Sequence, residues 1–311
     1  MCFHESSTGW MPRTRPRFTR VAPFMLLLGL VAGAERADAQ CEGETLAAAE
    51  AAGGDALGRT VAMSDGWLIA GAPLDDNAAV NAGSVRVFRL LDGVWTQQDS
   101  LLAEEAGSND QFGSAVAIDG AVAVVGAPFD DPQGNDSGSA TVYRKVGDRW
   151  MFEQTLTAPT PVAGDRFGAA VAVGGDWIAV GAPDSDPAGS NSGAVHLFLF
   201  DGGAWSDGGT LVAGDADPVD KFGAALAMEL EPGGAFGVLA IGAPFDDDLG
   251  QNSGAVHVYR LDAGVWAMSQ KLVEPAGSAD DRLGSSVAVA ADVIVAGAPF
   301  ADDGGASAGA A

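Results

Sequence analysis

The sequence contains few cysteines, few histidines and few basic residues, and these shortages exclude several classes of protein. Its two cysteines, Cys2 and Cys41, cannot form a multi-disulfide framework or a cysteine-based zinc site. Its three histidines offer little material for a Ser-His-Asp or Cys-His hydrolase. With 16 basic against 42 acidic residues, the net charge is −26. Such a chain repels phosphate backbones and anionic lipids, so nucleic acid is excluded as an expected partner.

The composition that remains is that of a folded protein rich in turns. Hydrophobic residues make up 47% and charged residues only 19% of the chain, which favours a substantial core over disorder. The 44 glycines lack the three-residue period of collagen. The glycine excess therefore indicates many turns.

The first 39 residues have the pattern of a cleavable export signal. A basic leader from Arg13 to Arg20 precedes an apolar run, 21–32, that is too short to span a membrane stably. The small residues Ala37 and Ala39 predict cleavage after Ala39, and Met11 is an alternative to Met1 as the start. We expect a signal peptide over 1–39 and a mature chain, 40–311, that has no membrane span and is secreted, periplasmic or on the cell surface. An uncleaved anchor is the alternative.

Internal repetition dominates the rest of the sequence. The tripeptide Gly-Ala-Pro recurs with spacings of 55, 55, 61 and 55 residues, its glycines being Gly71, Gly126, Gly181, Gly242 and Gly297. A Phe-Gly or Leu-Gly pair precedes each copy, with its glycine at Gly58, Gly113, Gly168, Gly223 and Gly284. The predicted units are 57–111, 112–166, 167–221, 222–282 and a partial one, 283–311.

Each unit has the pattern of four short strands. In the third unit the apolar runs are 171–173, 177–180, 195–200 and 205–211, separated by turn residues. The proline of Gly-Ala-Pro lacks an N–H group and ends the second strand. Sheets with two apolar faces must cover one another, so we predict an all-β, β-propeller-like array of four-stranded antiparallel blades, of about five units with the last incomplete. A linear solenoid is the alternative.

These motifs resemble the FG-GAP repeat, which is found in the propeller head of integrin α subunits and in many exported bacterial proteins. The resemblance rests on Phe-Gly-x-x-Val-Ala, Val-Gly-Ala-Pro and Ser-Gly-Ala-Val, and it extends over 45–311. It implies a propeller fold but no particular activity, because propellers serve unrelated functions.

The sequence departs from the integrin pattern in two places. Integrin-type units often carry a calcium loop between strands one and two, whereas here that connection is as short as Asp119-Gly120; the six-residue insertion of the fourth unit, 229–234, does not match it either. The fifth unit stops where its third strand begins. We expect the lone segment 44–48 to be a fourth strand that could close the ring; a compact five-unit protein, an open arc and a truncated product stay open, and an unpaired edge would permit edge-to-edge self-association.

Acidic residues follow every Gly-Ala-Pro and are the weak candidates for a metal site. The strongest clusters lie in units two and four: Asp130, Asp131, Asn135, Asp136, Asp246, Asp247 and Asp248. Oxygen-rich loops of this kind could bind calcium weakly, but Asp and Asn also serve as turn formers that bond to nearby backbone. We expect the turn role, with no cofactor required, and leave weak calcium binding open.

Other repeated residues are expected to be architectural. A second aspartate series precedes the Phe/Leu-Gly pairs and predicts a repeated structural bond: Asp55, Asp110, Asp165, Asp220 and Asp281. The regularly spaced tryptophans predict packing between blades. Trp67 and Trp177 occur in only some units, so we expect them to be more exposed.

The sequence contains no unique set of residues with the pattern of a catalytic site. No catalytic residue is therefore assigned, and the protein is not expected to be an enzyme. The sequence favours an exported, non-catalytic binding or cell-adhesion module whose partner is an extracellular protein or a glycan. The alternatives are a carbohydrate- or lipid-acting hydrolase, or its accessory domain, and an inactive truncated remnant.

Overall fold

The computed structural model describes residues 45–231, 233–274, 277–291, 293–302, 305 and 307–311. The chain divides into two compact units, 1–46 and 47–311, of which the second contains the repeats. The predicted signal peptide and both cysteines lie outside the described residues. Within the described part of the chain, no helix is long and apolar enough to cross a membrane.

The second unit consists of five antiparallel sheets, which we call blades I to V. Blades I to IV have four strands each, hydrogen-bonded in chain order, and blade V has two. Blade I contains β1 Thr60–Ser64, β2 Trp67–Ala72, β3 Ser84–Leu91 and β4 Val94–Leu101. Blade II contains β5 Ala115–Asp119, β6 Val122–Ala127, β7 Ser139–Val146 and β8 Arg149–Leu156. Blade III contains β9 Ala170–Gly174, β10 Trp177–Ala182, β11 Ala194–Phe200 and β12 Trp205–Leu211. Blade IV contains β13 Ala225–Leu230, β14 Phe236–Ala243, β15 Ala255–Asp262 and β16 Val265–Leu272, and blade V contains β17 Ser286–Ala290 and β18 Val293–Gly297.

The predicted propeller-like array of about five units is therefore confirmed. Inner strands of consecutive blades contact one another in series, β1 with β5, β5 with β9, β9 with β13 and β13 with β17. Among the described residues, no comparable contact joins β17 back to β1. The described part of the array is therefore open between blades V and I.

The two recurring motifs meet where consecutive blades join. The glycine of each Phe/Leu-Gly pair donates its N–H to the Gly-Ala-Pro glycine of the same blade, as Gly168 does to the Gly181 carbonyl at 3.0 Å. The preceding aromatic residue, Phe167, is fully buried and donates its own N–H to Ser137 of the previous blade at 3.1 Å. These bonds explain why both motifs recur in every unit: one closes a blade and the other attaches it to its neighbour.

Tryptophan side chains pack between blades, as their spacing predicts. The Trp67 ring of blade I meets the Trp150 ring of blade II edge to face at 5.9 Å, and Trp177 of blade III meets Trp266 of blade IV at 6.0 Å. The prediction that Trp67 and Trp177 are more exposed is wrong, because both are buried. Each fills the space beside the repeated tryptophan of the next blade.

Blade V is incomplete, as predicted. Ala310 pairs with Ala298 in an antiparallel bridge, in the same register as Ala255 with Ala243 of blade IV. This bridge places the last residues at the start of the missing third strand. The predicted fourth strand over 44–48 is wrong for its described part, since residues 45–48 have no strand assignment. A fourth strand needs a third-strand edge to pair with, and blade V has only two strands.

Candidate functional site

The loops that follow Gly-Ala-Pro share one hydrogen-bonding scheme. In every blade an aspartate carboxylate accepts the backbone N–H five residues later, for example Asp131 from Asp136 at 2.7 Å and Asp247 from Asn252 at 2.6 Å. The donor residues all adopt a left-handed backbone conformation, at Asn81, Asp136, Asn191, Asn252 and Ser307. Asn and Asp tolerate this conformation best, so these polar residues form the turns.

The metal-site candidates already have protein partners. Asp130 accepts the Ser139 hydroxyl at 2.5 Å, and Lys271 donates to Asp246 at 2.7 Å and to Asp248 at 2.5 Å. Asn135 offers its backbone carbonyl to the N–H of Gly164. In the described residues no group of three or more His, Cys, Asp or Glu side chains is arranged to hold a metal ion. Weak calcium binding stays a prediction.

The second aspartate series forms the repeated structural bond that the sequence predicts. Each of these carboxylates is buried and accepts the N–H of the residue three positions earlier, as Asp110 does from Gly107 at 2.5 Å and Asp220 from Asp217 at 2.7 Å. Burial has an electrostatic cost, because it disfavours the ionised form. It raises the pKa of Asp110 and of Asp165, and the carboxylates of the following loop raise them further.

Asp220→Asn is expected to raise the melting temperature at neutral pH. Burial above all, together with the carboxylates of Asp246 and Asp217, raises the pKa of Asp220 from 3.8 to about 6. The folded state therefore binds more protons than the unfolded state, so this carboxyl costs no stability below pH 3.8 and destabilises increasingly as the pH rises through about 6. Asparagine keeps the acceptor for the Asp217 N–H but carries no charge.

Thermal melts followed by circular dichroism at about pH 7.5 and about pH 3.5 check this expectation. The increase in melting temperature should appear at the higher pH and vanish at the lower pH. Asp201→Asn is the control, because the N–H groups of Ala204 and Gly203 lower the pKa of that exposed carboxyl. A gain at both pH values, or an equal gain in the control, would contradict the electrostatic explanation.

The two histidines of the described residues, His196 and His257, lie on equivalent strands of blades III and IV. His196 lies on β11 with its Nδ1 3.1 Å from the Thr210 hydroxyl, and burial lowers its pKa to about 4. His257 occupies the same position on β15, fully buried against the Phe222 ring. Arg86 and Thr141 fill this position in blades I and II. In blades I and IV the residue at this position lies beside the acidic loop, Arg86 2.7 Å from Asp75 and His257 3.8 Å from Asp246.

A cavity of about 680 Å³ lies among the first hairpins of blades I to IV. The ends of β1, β5, β9 and β13 contribute to its walls. Its apolar lining comes from Met63, Ile118, Val173, Met228 and Leu230, and its acidic lining from Asp119, Asp176, Glu229 and Glu231. No Lys or Arg lines it in the described part of the chain. The cavity thus combines apolar walls with uncompensated negative charge.

The hairpins around this cavity hold one another in place. The Ser64 hydroxyl accepts the Gly120 N–H of the next blade at 3.1 Å, and Asp119 accepts the Gly175 N–H at 2.8 Å. The Glu229 carboxylate accepts the Ala291 N–H of blade V at 2.5 Å. These bonds join the first hairpins of blades I and II, of blades II and III, and of blades IV and V.

The insertion of blade IV is the feature that distinguishes this rim from a simple repeat. It lengthens the β13–β14 hairpin, so that Glu229, Leu230 and Glu231 enter the cavity lining. The same three residues line a second cavity of about 690 Å³, between blades IV and V, with Phe236 and Ile294. From the sequence, the insertion was predicted only not to be a calcium loop. The spacing of 61 against 55 residues was the signal that could have marked it as a site.

The sequence matches the family model described as FG-GAP repeat five times, over 41–88, 95–143, 150–198, 205–259 and 266–311. Four of these matches begin at a repeated tryptophan, one strand before the blade to which the match mostly belongs. No curated protein matches the sequence.

Two solved structures are similar in fold, and both carry the name 6-phosphogluconolactonase. The one from Bacteroides fragilis is 11% identical with a TM-score of 0.45, and the match covers 71% of this chain and 58% of that one. The one from Bacteroides uniformis is 13% identical with a TM-score of 0.41, covering 70% of this chain and 57% of that one. This chain therefore spans less than two thirds of either protein, and similarity at this level carries no argument about activity.

Proposed function

The chain belongs to the FG-GAP repeat family, and from that premise we propose that it is an exported, non-catalytic binding module whose ligand site is the cavity among the first hairpins. The observation that carries the proposal is the placement of the blade IV insertion. Residues that recur in every blade make turns, close blades or attach them to each other. The insertion recurs nowhere else, and it lines this cavity.

The cavity lining indicates the chemistry of the ligand. Four carboxylates with no basic lining residue attract positive charge, and the net charge of −26 strengthens that attraction at long range. The methionine, leucine and isoleucine walls favour apolar side chains, and methionine adapts to different shapes. We propose an extracellular protein partner that inserts a basic, partly apolar peptide segment.

Binding is measured by fluorescence anisotropy with a short labelled peptide of alternating lysine and leucine. The test variant is Glu229→Gln/Glu231→Gln, in which glutamine at 229 can still accept the Ala291 N–H. Two partly screened charges are each worth up to about 1 kcal/mol, so affinity should fall about tenfold. A peptide in which glutamate replaces lysine should not bind.

The matched control is Glu104→Gln/Glu105→Gln, which removes the same two charges outside the cavity lining. It should leave affinity within about twofold of the unaltered protein. An equal loss in the control would mean that net charge, not the cavity, holds the peptide. Turnover of a polysaccharide or ester that is lost on changing one acidic loop, but not its equivalents in other blades, would overturn the non-catalytic role.

A further inference from the structure

The two ends of the blade array expose apolar residues whose equivalents in the other blades are buried or partly buried. On blade I, which we call the first-blade face, Val61 is 63% and Met63 66% exposed, and Trp95 is only partly buried. On blade V, which we call the fifth-blade face, Val293 is 55% and Val295 50% exposed. Isolated exposed apolar residues are ordinary, but these form two faces of defined register.

Each face is one half of an interface that the chain builds internally. Between blades II and III, Val122 and Val124 of β6 share a core cluster with Val171 and Val173 of β9. Val293 and Val295 hold the β6 positions in blade V, whereas Val61 and Met63 hold the β9 positions in blade I. The fifth-blade face thus corresponds to the side of a blade that contacts the following blade. The first-blade face corresponds to the side that contacts the preceding blade.

Burial at equivalent positions shows what the two faces lack. Ile69, Val124, Ala179 and Ala240 correspond to Val295 and are all fully buried. The first three share core clusters with residues of the following blade. Trp150, Trp205 and Trp266 correspond to Trp95 and are buried. Trp150 and Trp266 each meet a tryptophan of the preceding blade, and Trp205 shares a core cluster with valines of the preceding blade. In the described part of the chain, no blade covers Val295 from the following side and none covers Trp95 from the preceding side.

We propose that the fifth-blade face of one copy of this chain binds the first-blade face of a second copy, head to tail. The occupant is a second copy because the two faces reproduce, in residue type and register, the junction that already joins blades I to V. Two different surfaces meet in such a contact, so it is heterologous and can extend beyond two copies. Beyond the bridge from Ala298 to Ala310, the outer edge of β18 pairs with no further strand among the described residues, so it offers backbone groups beside the same face.

Charge gives this association a specific salt dependence. Each copy carries a net charge of −26, so copies repel one another at low ionic strength. At 0.1 M salt, repulsion between charges more than about 10 Å apart is largely screened, whereas apolar contacts are unaffected. Association should therefore strengthen with added sodium chloride, opposite to a contact made by ion pairs.

The test is the mass in solution, measured by sedimentation equilibrium on the chain as recovered from the host that expresses it. The unaltered protein should show a mass that increases with protein concentration and with salt. Val61→Glu/Met63→Glu, which alters the first-blade face, and Val293→Glu/Val295→Glu, which alters the fifth-blade face, should each be monomeric. The control Val94→Glu/Val265→Glu adds the same charge at 54% and 64% exposed positions of outer hairpins and should associate like the unaltered protein.

Mixing the two face variants gives the decisive result. Each retains the face that the other has lost, so an equimolar mixture should form a complex of two chains that grows no further. Circular dichroism melts confirm that every variant is folded. A monomeric unaltered protein at all concentrations and salt levels would overturn the proposal, as would a mixture that stays monomeric or a control that dissociates.

Discussion

Gly126→Ala is expected to destabilise the protein by about 3 kcal/mol, the upper part of the range for overpacked sites. Gly126 is the Gly-Ala-Pro glycine of blade II, and a Cβ atom there would overlap the carbonyl oxygen of Gly168 in blade III. The obstacle is backbone that is itself hydrogen-bonded to Gly181, so it cannot rotate away as a side chain could. The blades would have to separate.

Urea denaturation followed by circular dichroism measures this loss. The matched control is Gly214→Ala, because a Cβ at Gly214 meets no atom within 4 Å and its backbone is not left-handed. The control should be neutral or stabilising by up to about 1 kcal/mol, because alanine restricts the unfolded chain. Equal effects of the two substitutions would show that the approach of Gly126 to Gly168 does not limit how closely the blades pack.

Arg86→Met should destabilise the protein by about 3–5 kcal/mol, since it leaves a buried carboxylate without its cation. Arg86 lies 2.7 Å from Asp75, and both side chains are only 2% exposed. Burial raises the pKa of Asp75, but hydrogen bonds from Ser84 and Asn77 and the charge of Arg86 outweigh it and hold the pKa below its ordinary value. Methionine restores the volume but not the charge.

The pH dependence separates this charge effect from a packing effect. A lowered folded-state pKa contributes stability above the unfolded value of 3.8, and that stability is lost as the pH falls further. The gap between the unaltered protein and Arg86→Met should thus narrow in urea melts as the pH is lowered from about 4 to about 2.5. The double variant Arg86→Met/Asp75→Asn should recover much of the loss at neutral pH. A gap independent of pH would indicate lost packing alone.

Arg89→Met is the comparison for an exposed ion pair. Arg89 lies 2.6 Å from Asp148, but their side chains are 33% and 71% exposed. Pairs exposed to this degree contribute at most about 1 kcal/mol, so this variant should lose little stability at any pH. A loss of stability as large as that of Arg86→Met would show that burial does not determine how much these ion pairs stabilise the protein.

Blade II shows how the same position can be occupied without a cation. Thr141 replaces arginine there, and the loop carboxylate Asp130 keeps the side-chain hydrogen bond from Ser139, which is equivalent to the bond from Ser84 to Asp75. Burial first, with nearby carboxylates, raises the pKa of Asp130, the opposite of the direction at Asp75. The pKa of the loop carboxylate is therefore shifted in opposite directions in equivalent loops, and position in the repeat alone does not reveal this.

The strands and their order were determined by the sequence itself. The predicted runs 171–173, 177–180, 195–200 and 205–211 lie within β9, β10, β11 and β12. Within each blade every strand pairs with the next along the chain, so the information for each pairing lies close to the turn that joins the two strands. The turn role of the acidic loops was predictable for the same reason.

Contacts between blades were decided only by the tertiary structure. Trp67 and Trp177 are buried by partners more than a blade away in sequence, and the cavity lining collects side chains from four hairpins separated by 55 residues or more. Whether a blade face is covered by another blade depends on how many blades are joined and on how they twist. No local sequence pattern encodes either property. The exposed valines of blade V have the same sequence signature as the buried ones of blade II, and only the presence or absence of a following blade distinguishes them.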